Sequence, residues 1–339
     1  MSWSLGEVPP IERSARLRRE IAAHGFTIVR ADIPELAPSE AARAPWDFAE
    51  RLLGERPRMV ERQPIKAVPG GRSFASSTGP APLHTDSQMH AGAPPNLQVM
   101  ACVRAADRGG EHVLVDGWAL LDRIRAGDPD LYRALFDVPR RIPFVFGDVF
   151  GPTVALRGGF LAITHAPFLP PGDPIAARLA PWIDAAPRSE PITGPGEILI
   201  ADNHRMLHGR RGFDGGAREY VRLLVWTSTE IATHPDHRAH AASIATSLAT
   251  HLASASPAAR RRLGLAPSSP AERRLALVLE MLRGYPPGIL AARERIPEPE
   301  LYRMRDAALA AAAAALAVDP LPGNDDEVAR VLGLPRPAK

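Results

Sequence analysis

Between about residue 60 and residue 230 the chain is a succession of short apolar or alternating runs, each broken by Gly, Pro, Asp or Asn. No other feature constrains the fold as strongly. A short strand between turn signals must pair with a neighbour, and many such strands in one chain close into a sandwich or barrel. The clearest runs are Leu97–Val103, His112–Val115, Ile142–Phe146, Phe160–Thr164, Glu197–Ala201 and Tyr220–Thr227, with helical segments at Gly117–Arg125 and Asp173–Ala185. Ahead of them, residues 11–24 have the spacing of an amphipathic helix, a β-rich run covers Gly25–Arg30, and Pro45–Leu53 reads as a second helix. After Thr229 the strand signals stop. Residues 236–255 and 271–283 are helical, with Leu275, Val278, Leu279 and Leu282 on one face. The chain is therefore expected to be mainly β with flanking helices over residues 1–230. An α-helical extension over 231–339 follows, with Ser254–Pro270 as a linker.

The 339 residues, 45% apolar and 23% charged, can bury a core that needs no disulfide or structural metal. A single cysteine, Cys102, excludes an intrachain disulfide and suits a reducing compartment. The N-terminus lacks the apolar segment of a secretory signal. The longest near-apolar stretch, Ala307–Val318, is too short and alanine-rich to span a bilayer. The expectation is a cytoplasmic protein without a membrane partner. Net charge is only +3, but residues 256–305 carry ten arginines against five glutamates, so basic character gathers near the C-terminus.

The chemistry is concentrated in Leu83-His84-Thr85-Asp86. Residues i and i+2 of a strand share a face, so His84 and Asp86 can converge on one ion. A second imidazole, His208, comes from a distant strand in Asp202-Asn203-His204-Arg205-Met206-Leu207-His208-Gly209-Arg210. Two imidazoles and one carboxylate on one face of an octahedron leave three positions open, which suits non-haem Fe(II). A closed zinc site usually takes thiolates, which one cysteine cannot supply. Downstream, Arg218 and Arg222 are four apart, and a planar guanidinium can hold a carboxylate through two bonds.

These residues stand in a wider pattern: His84-Thr85-Asp86, Ala93-Pro94-Pro95-Asn96-Leu97, Ala101-Cys102-Val103, Arg108-Gly109-Gly110-Glu111, Val115-Asp116-Gly117, then Asp202-Asn203 through Arg210, Arg218 and Arg222. The pattern resembles the TauD/TfdA family of 2-oxoglutarate dioxygenases over roughly residues 15–230. The resemblance implies a double-stranded β-helix, or jelly-roll, core. It also implies Fe(II) held by His84, Asp86 and His208, and 2-oxoglutarate as cosubstrate. Reaction with O2 would hydroxylate a small-molecule substrate and release succinate and CO2. By the same resemblance Arg218 takes the C5 carboxylate of 2-oxoglutarate and Arg222 an anionic group of the substrate, though the two roles are interchangeable on sequence alone. His112 stands where relatives have a threonine that contacts 2-oxoglutarate. The segment Arg72–Thr78, with Ser76 and Ser77, is expected to line the substrate side. Asp86 speaks against halogenation, because halogenating relatives carry a small residue there. The implied substrate is anionic or amino-acid-like, as in specialised metabolism. Hydroxylation, desaturation and ring closure are not separable from sequence.

The segment Leu275–Arg283, Gly284-Tyr285-Pro286-Pro287, Gly288–Ile296 and a long helix from Glu300 resembles a transposase-type helix-turn-helix, with Arg303 and Arg305 opening the recognition helix. The plainer reading, which we favour, is a helical bundle with Leu301, Met304 and Ala308 as its buried stripe. A DNA-binding regulator with a metabolite-sensing barrel, or an oxygenase whose substrate is a nucleic acid or carrier-bound group brought by residues 256–339, are the rival functions. Homo-oligomerisation is left open.

Overall fold

The computed structural model describes residues 2–68, 71, 73–88, 93–144, 149–166, 172–214, 218–251, 269–282, 285 and 287–317. In chain order the strands are β1 (Ser2–Ser4), β2 (Phe26–Arg30), β3 (Met59–Lys66), β4 (Ala81–His84), β5 (Leu97–Arg104), β6 (Arg108–Gly109), β7 (His112–Asp116) and β8 (Arg140–Ile142). They continue with β9 (Val149–Gly151), β10 (Val154–Arg157), β11 (Phe160–Ile163), β12 (Glu197–Asp202), β13 (Met206–Arg210), β14 (Phe213–Asp214) and β15 (Glu219–Trp226). The helices of the same region are α1 (Pro10–His24), α2 (Pro38–Arg43), α3 (Pro45–Leu53), α4 (Gly117–Gly127), α5 (Pro129–Asp137), α6 (Pro174–Asp184) and α7 (Pro235–His251).

A six-stranded sheet has the order β1-β2-β12-β5-β15-β3, and a three-stranded sheet the order β4-β13-β7. From β3 to β15 the chain passes back and forth between these sheets: β3, β5, β12 and β15 lie in the large one, β4, β7 and β13 in the small one. This winding is the jelly-roll, or double-stranded β-helix. Proline is tolerated at position 64 because β3 is an edge strand.

Period-two alternation assigns each side chain to a layer. Val99 and Ala101 of β5, Ile198 and Ile200 of β12, and Val221, Leu223 and Val225 of β15 pack with Leu17 and Ile21 of α1 and Phe48, Leu52 and Leu53 of α3. Their neighbours Met100, Cys102, Leu199, Ala201 and Tyr220 pack instead with Leu114 and Met206 of the small sheet. That second face is the interior between the sheets, and Gln98 and Arg222 share its parity. The outer side of the small sheet, through Val115 and Leu207, is covered by α4, α5 and α6.

Two expectations change. The strand read at Ile142–Phe146 is centred earlier, at Arg140–Ile142, paired with β9, and residues 145–148 fall outside the described set. Helix α5 was not foreseen, although Asp128 caps it by accepting from the Leu131 amide and Pro129 opens it. The linker read at Ser254–Pro270 lies mostly outside the described residues.

The chain divides into two compact units, Met1–Glu272 and Arg273–Lys339. Helix α7 belongs to the first, where Ala241 and Ile244 join the core of α4, α5 and α6. The second contains most of helix Pro270–Leu282, with helices Pro287–Glu294 and Glu298–Ala317. Leu277, Met281, Leu290 and Leu301 form its core, with Met304 packed alongside. Its buried Glu280 takes two hydrogen bonds from Arg293, at 2.7 and 3.0 Å. Arg303 and Arg305 pair on the surface with Glu300 and Asp306. Among the described residues no helix is long and apolar enough to cross a membrane.

Candidate metal centre and anion pocket

His208 lies on the central strand of the small sheet, directly across from His84 in the β13–β4 pairing, with ring centroids 4.6 Å apart. Asp86 reaches them by a route the spacing did not suggest. Strand β4 ends at His84, and the next residues bend, with Ser87 at φ 52. Two bonds hold the bend to His165: the Thr85 amide donates to the His165 carbonyl at 2.9 Å, and the Thr85 hydroxyl accepts from the His165 amide at 3.0 Å. The Asp86 amide donates to Asn203 Oδ1 at 2.7 Å. Convergence of the pair is therefore a property of this tethered bend, and not of strand alternation alone.

The three side chains bring one ligand atom each within 4.8 Å of one another. Asp86 Oδ1 is 3.6 Å from His84 Nε2, and Oδ2 is 3.5 Å from His208 Nε2. His84 Nδ1 donates to the Pro82 carbonyl at 2.8 Å, a tautomer that leaves the Nε2 lone pair for a metal. Burial alone would raise the Asp86 pKa. Arg222 beside it, with His208 and His84 close by, instead holds it well below the usual carboxylate range. Burial also lowers the His208 pKa, so its imidazole is a neutral ligand. A carboxylate and two imidazoles fit Fe(II).

Several groups that hold these ligands were not singled out from sequence. Gln98 Nε2 donates to Asp86 Oδ2 at 2.7 Å and lies 2.9 Å from His208 Nε2. Its signal was a polar residue at an inward position of a buried strand. Asn203 is buried, and its amide nitrogen donates to the carbonyls of Asp86 (3.1 Å) and Pro95 (2.9 Å). Asn203→Ala would leave the buried Asp86 amide and Pro95 carbonyl unpaired, and the Asp86 carbonyl with only its bond from Gln88. We expect it to cost about 3 kcal/mol of stability and to weaken Fe(II) binding, read by denaturant unfolding and metal titration.

Arg222, expected from sequence at the substrate anion, makes its described contacts elsewhere. Its Nη1 donates to both oxygens of Asp86, at 3.1 and 3.0 Å, and its Nη2 to Gln63. Arg218, just before β15, is 2% exposed and has no carboxylate partner among the described residues. Its guanidinium stacks over the Tyr220 ring at 4.0 Å and faces Phe213 at 5.6 Å. Gly110, at φ +79, lies under it; a Cβ there would come within 3.3 Å of Arg218 Nε. Burial lowers the pKa of this guanidinium, and a buried cation flanked by rings is suited to an anionic ligand. His112 lies in the same layer, 3.2 Å through Nε2 from Thr193 Oγ1, which is 2.9 Å from the Tyr220 hydroxyl. Burial, with Arg218 nearby, pushes its pKa down to about 3. The loop of Ser76 and Ser77 is tethered to the strand of His208: Arg210 donates to the carbonyls of Phe74 (3.2 Å), Ser77 (2.9 Å) and Gly79. Ser76 Oγ bonds Ser73 Oγ at 2.7 Å, and the Phe74 ring lies 5.6 Å from that of His84.

Other motif residues are scaffolding. Asp116 caps α4 and binds Arg205, which also donates to carbonyls at the end of α1. His204 Nε2 meets the Pro94 carbonyl at 2.9 Å. The Asp202 carboxyl is pushed up to about 7 by burial, against the opposing His204 amide bond. It is ionised in the unfolded chain above about pH 4 but keeps its proton in the fold. Its contribution is thus complete at low pH and lost as pH rises through 7. Asp202→Asn is expected to be increasingly more stable than wild type as pH rises from 5 to 7.5, by urea midpoints; a constant difference would contradict this.

Residues 5–150 match the family described as taurine catabolism dioxygenase TauD, TfdA. The curated gamma-butyrobetaine dioxygenases of Homo sapiens and Pongo abelii are 25% identical over 168 residues, covering 42% of this chain and 43% of theirs. The chain thus spans less than half the length of these relatives. Among solved structures, PvcB from Pseudomonas aeruginosa is 18% identical with a TM-score of 0.46, covering 66% of this chain and 82% of its own. An asparagine oxygenase in complex with Fe(II), 2S,3S-3-hydroxyasparagine and succinate is 18% identical with a TM-score of 0.48, covering 66% and 80%. The segment that matches the TauD/TfdA family, residues 5–150, contains His84 and Asp86.

Proposed function

We propose that this chain is an Fe(II)- and 2-oxoglutarate-dependent dioxygenase that hydroxylates a small anionic or amino-acid-like metabolite. The observation that carries the reading is the meeting of His84, Asp86 and His208 in one buried cluster, in a barrel that also buries Arg218 without a carboxylate partner among the described residues. The chemistry that Fe(II) with 2-oxoglutarate supplies is activation of O2, coupled to release of succinate and CO2 and oxidation of an unactivated carbon.

The chain's own residues bind and orient. His84, Asp86 and His208 would hold the metal, and Asn203 fixes the bend that presents Asp86. With His208 Nε2 given to a metal, Gln98 would keep its bond to Asp86. Arg218 takes the distal carboxylate of 2-oxoglutarate, with His112, Thr193 and Tyr220 closing that end against water. Arg222 would meet the carboxylate of the substrate once Asp86 shares its charge with a metal. Ser76 and Ser77, on the loop anchored by Arg210, line the approach. The substrate class is supported by the Arg222 cation and by relatives named for gamma-butyrobetaine, a small carboxylate. The test is succinate release by the Fe(II)-loaded protein across a panel of free amino acids and small carboxylates. Substrate-dependent succinate with a product 16 mass units heavier supports the reading; metal-independent behaviour with no succinate from any candidate contradicts it.

A further inference from the structure

Ligating side chains meet at a second place, away from the barrel interior. Asp122 on α4, and His234 and His237 at the start of α7, bring one ligand atom each within 4.8 Å of one another. His234 Nε2 is 3.4 Å from Asp122 Oδ2, and His237 Nε2 is 3.4 Å from Asp122 Oδ1. Tetrahedral zinc, with bonds of about 2.0–2.2 Å, places neighbouring donors roughly 3.3–3.5 Å apart. Each histidine lies in that range from one of the two oxygens of Asp122.

The surroundings are those of a built site. The imidazoles of His234 and His237 are stacked, with centroids 3.9 Å apart and planes at 20°. His237 is fully buried, and its Nδ1 lies 2.9 Å from the Tyr132 hydroxyl. With Nδ1 donating to Tyr132, the Nε2 lone pair faces Asp122, the outer-shell arrangement that orients metal-bound histidines. In its alternative tautomer Nε2 would donate to the Trp118 carbonyl or to Asp122 Oδ1, each at a long 3.4 Å. Burial, then the nearby His234, keeps His237 neutral, with its pKa lowered to about 4. Arg125 donates to Asp122 Oδ1 at 3.1 Å and to Asp236 at 2.9 Å. One cation against two carboxylates leaves the cluster net negative before any metal binds.

We propose that Asp122, His234 and His237 form a second metal site, distinct from the barrel triad, which takes Zn(II) with water completing the coordination and staples α7 to α4. The imidazole–carboxylate set selects zinc over the all-oxygen ligation that magnesium and calcium prefer.

The test strips the full-length protein with chelator, adds Zn(II), and counts zinc per chain after gel filtration. Wild type is expected to retain two, and His84→Ala and His234→Ala one each. Substituting Co(II) gives a second readout: in His84→Ala, the remaining site should show the strong visible bands of four-coordinate cobalt, lost on adding Asp122→Asn. Zinc should also raise the melting temperature of His84→Ala but not of His84→Ala/Asp122→Asn. Asp122 is partly exposed, so Asp122→Asn serves should His234→Ala fail to fold. A His84→Ala protein that retains no zinc, or zinc binding undiminished by Asp122→Asn, overturns the proposal.

Discussion

His84→Ala is expected to abolish substrate-dependent succinate release, with a fall of at least about a thousandfold, while the protein stays folded. His84 is one of three donors to the proposed iron. Among the described residues its side chain otherwise makes the local Nδ1 bond to Pro82 and ring contacts with Phe74 and His208. Losing it opens a fourth coordination position and leaves Asp86 and His208 to hold the metal alone. The control is His165→Ala. His165 is also buried beside the bend, but it holds Thr85 through its backbone, and its Nδ1 has no hydrogen-bond partner among the described residues. Activity in His165→Ala should stay within about tenfold of wild type, the modest loss reflecting the small cavity left behind. Equal losses in the two variants would mean that the cluster acts as core and not as a ligand set.

Arg218→Ala is expected to weaken 2-oxoglutarate by a factor of about 100–200, or about 3 kcal/mol, the worth of a charge-assisted bidentate contact. Iron affinity should change little, because Arg218 bonds none of the three ligands. Stability should also survive: burial already disfavours this guanidinium, so removing it relieves a desolvation penalty. Arg222→Ala should behave in the opposite way. Removing its two bonds to Asp86 withdraws the chief charge compensation of a buried carboxylate, so it should alter metal affinity as well as substrate binding. Measured dissociation constants for Fe(II) and 2-oxoglutarate in the two variants separate these outcomes.

The difference between the two arginines shows what the sequence could and could not convey. The pair His84 and Asp86, and the distant His208, were legible because ligand chemistry restricts residue type and spacing. The strands that carry them were less so. Strand β4 is four residues long with a proline, and the bend after it depends on Asn203 and His165, both far away in sequence. Gln98 sits in a run that otherwise reads as apolar core, and its function is visible only once β5 is seen facing β13 across the barrel. Arg222 was legible as a cation near the site, but its partner was not, since pairing depends on which acid the fold brings within reach. A sandwich or barrel followed from strand punctuation and its jelly-roll winding from the family resemblance, whereas α5 was hidden behind Asp128-Pro129, a capping signal short enough to pass for a turn.

The central claim is that one pocket holds Fe(II) and 2-oxoglutarate together through His84, Asp86, His208 and Arg218. Its most direct test is anaerobic addition of both to the purified protein, followed by visible spectroscopy for the metal-to-ligand charge-transfer band of the chelated keto acid. The account predicts the band in wild type and in His165→Ala, and its absence in His84→Ala. In Arg218→Ala it should return only at much higher 2-oxoglutarate. An undiminished band in His84→Ala would contradict it.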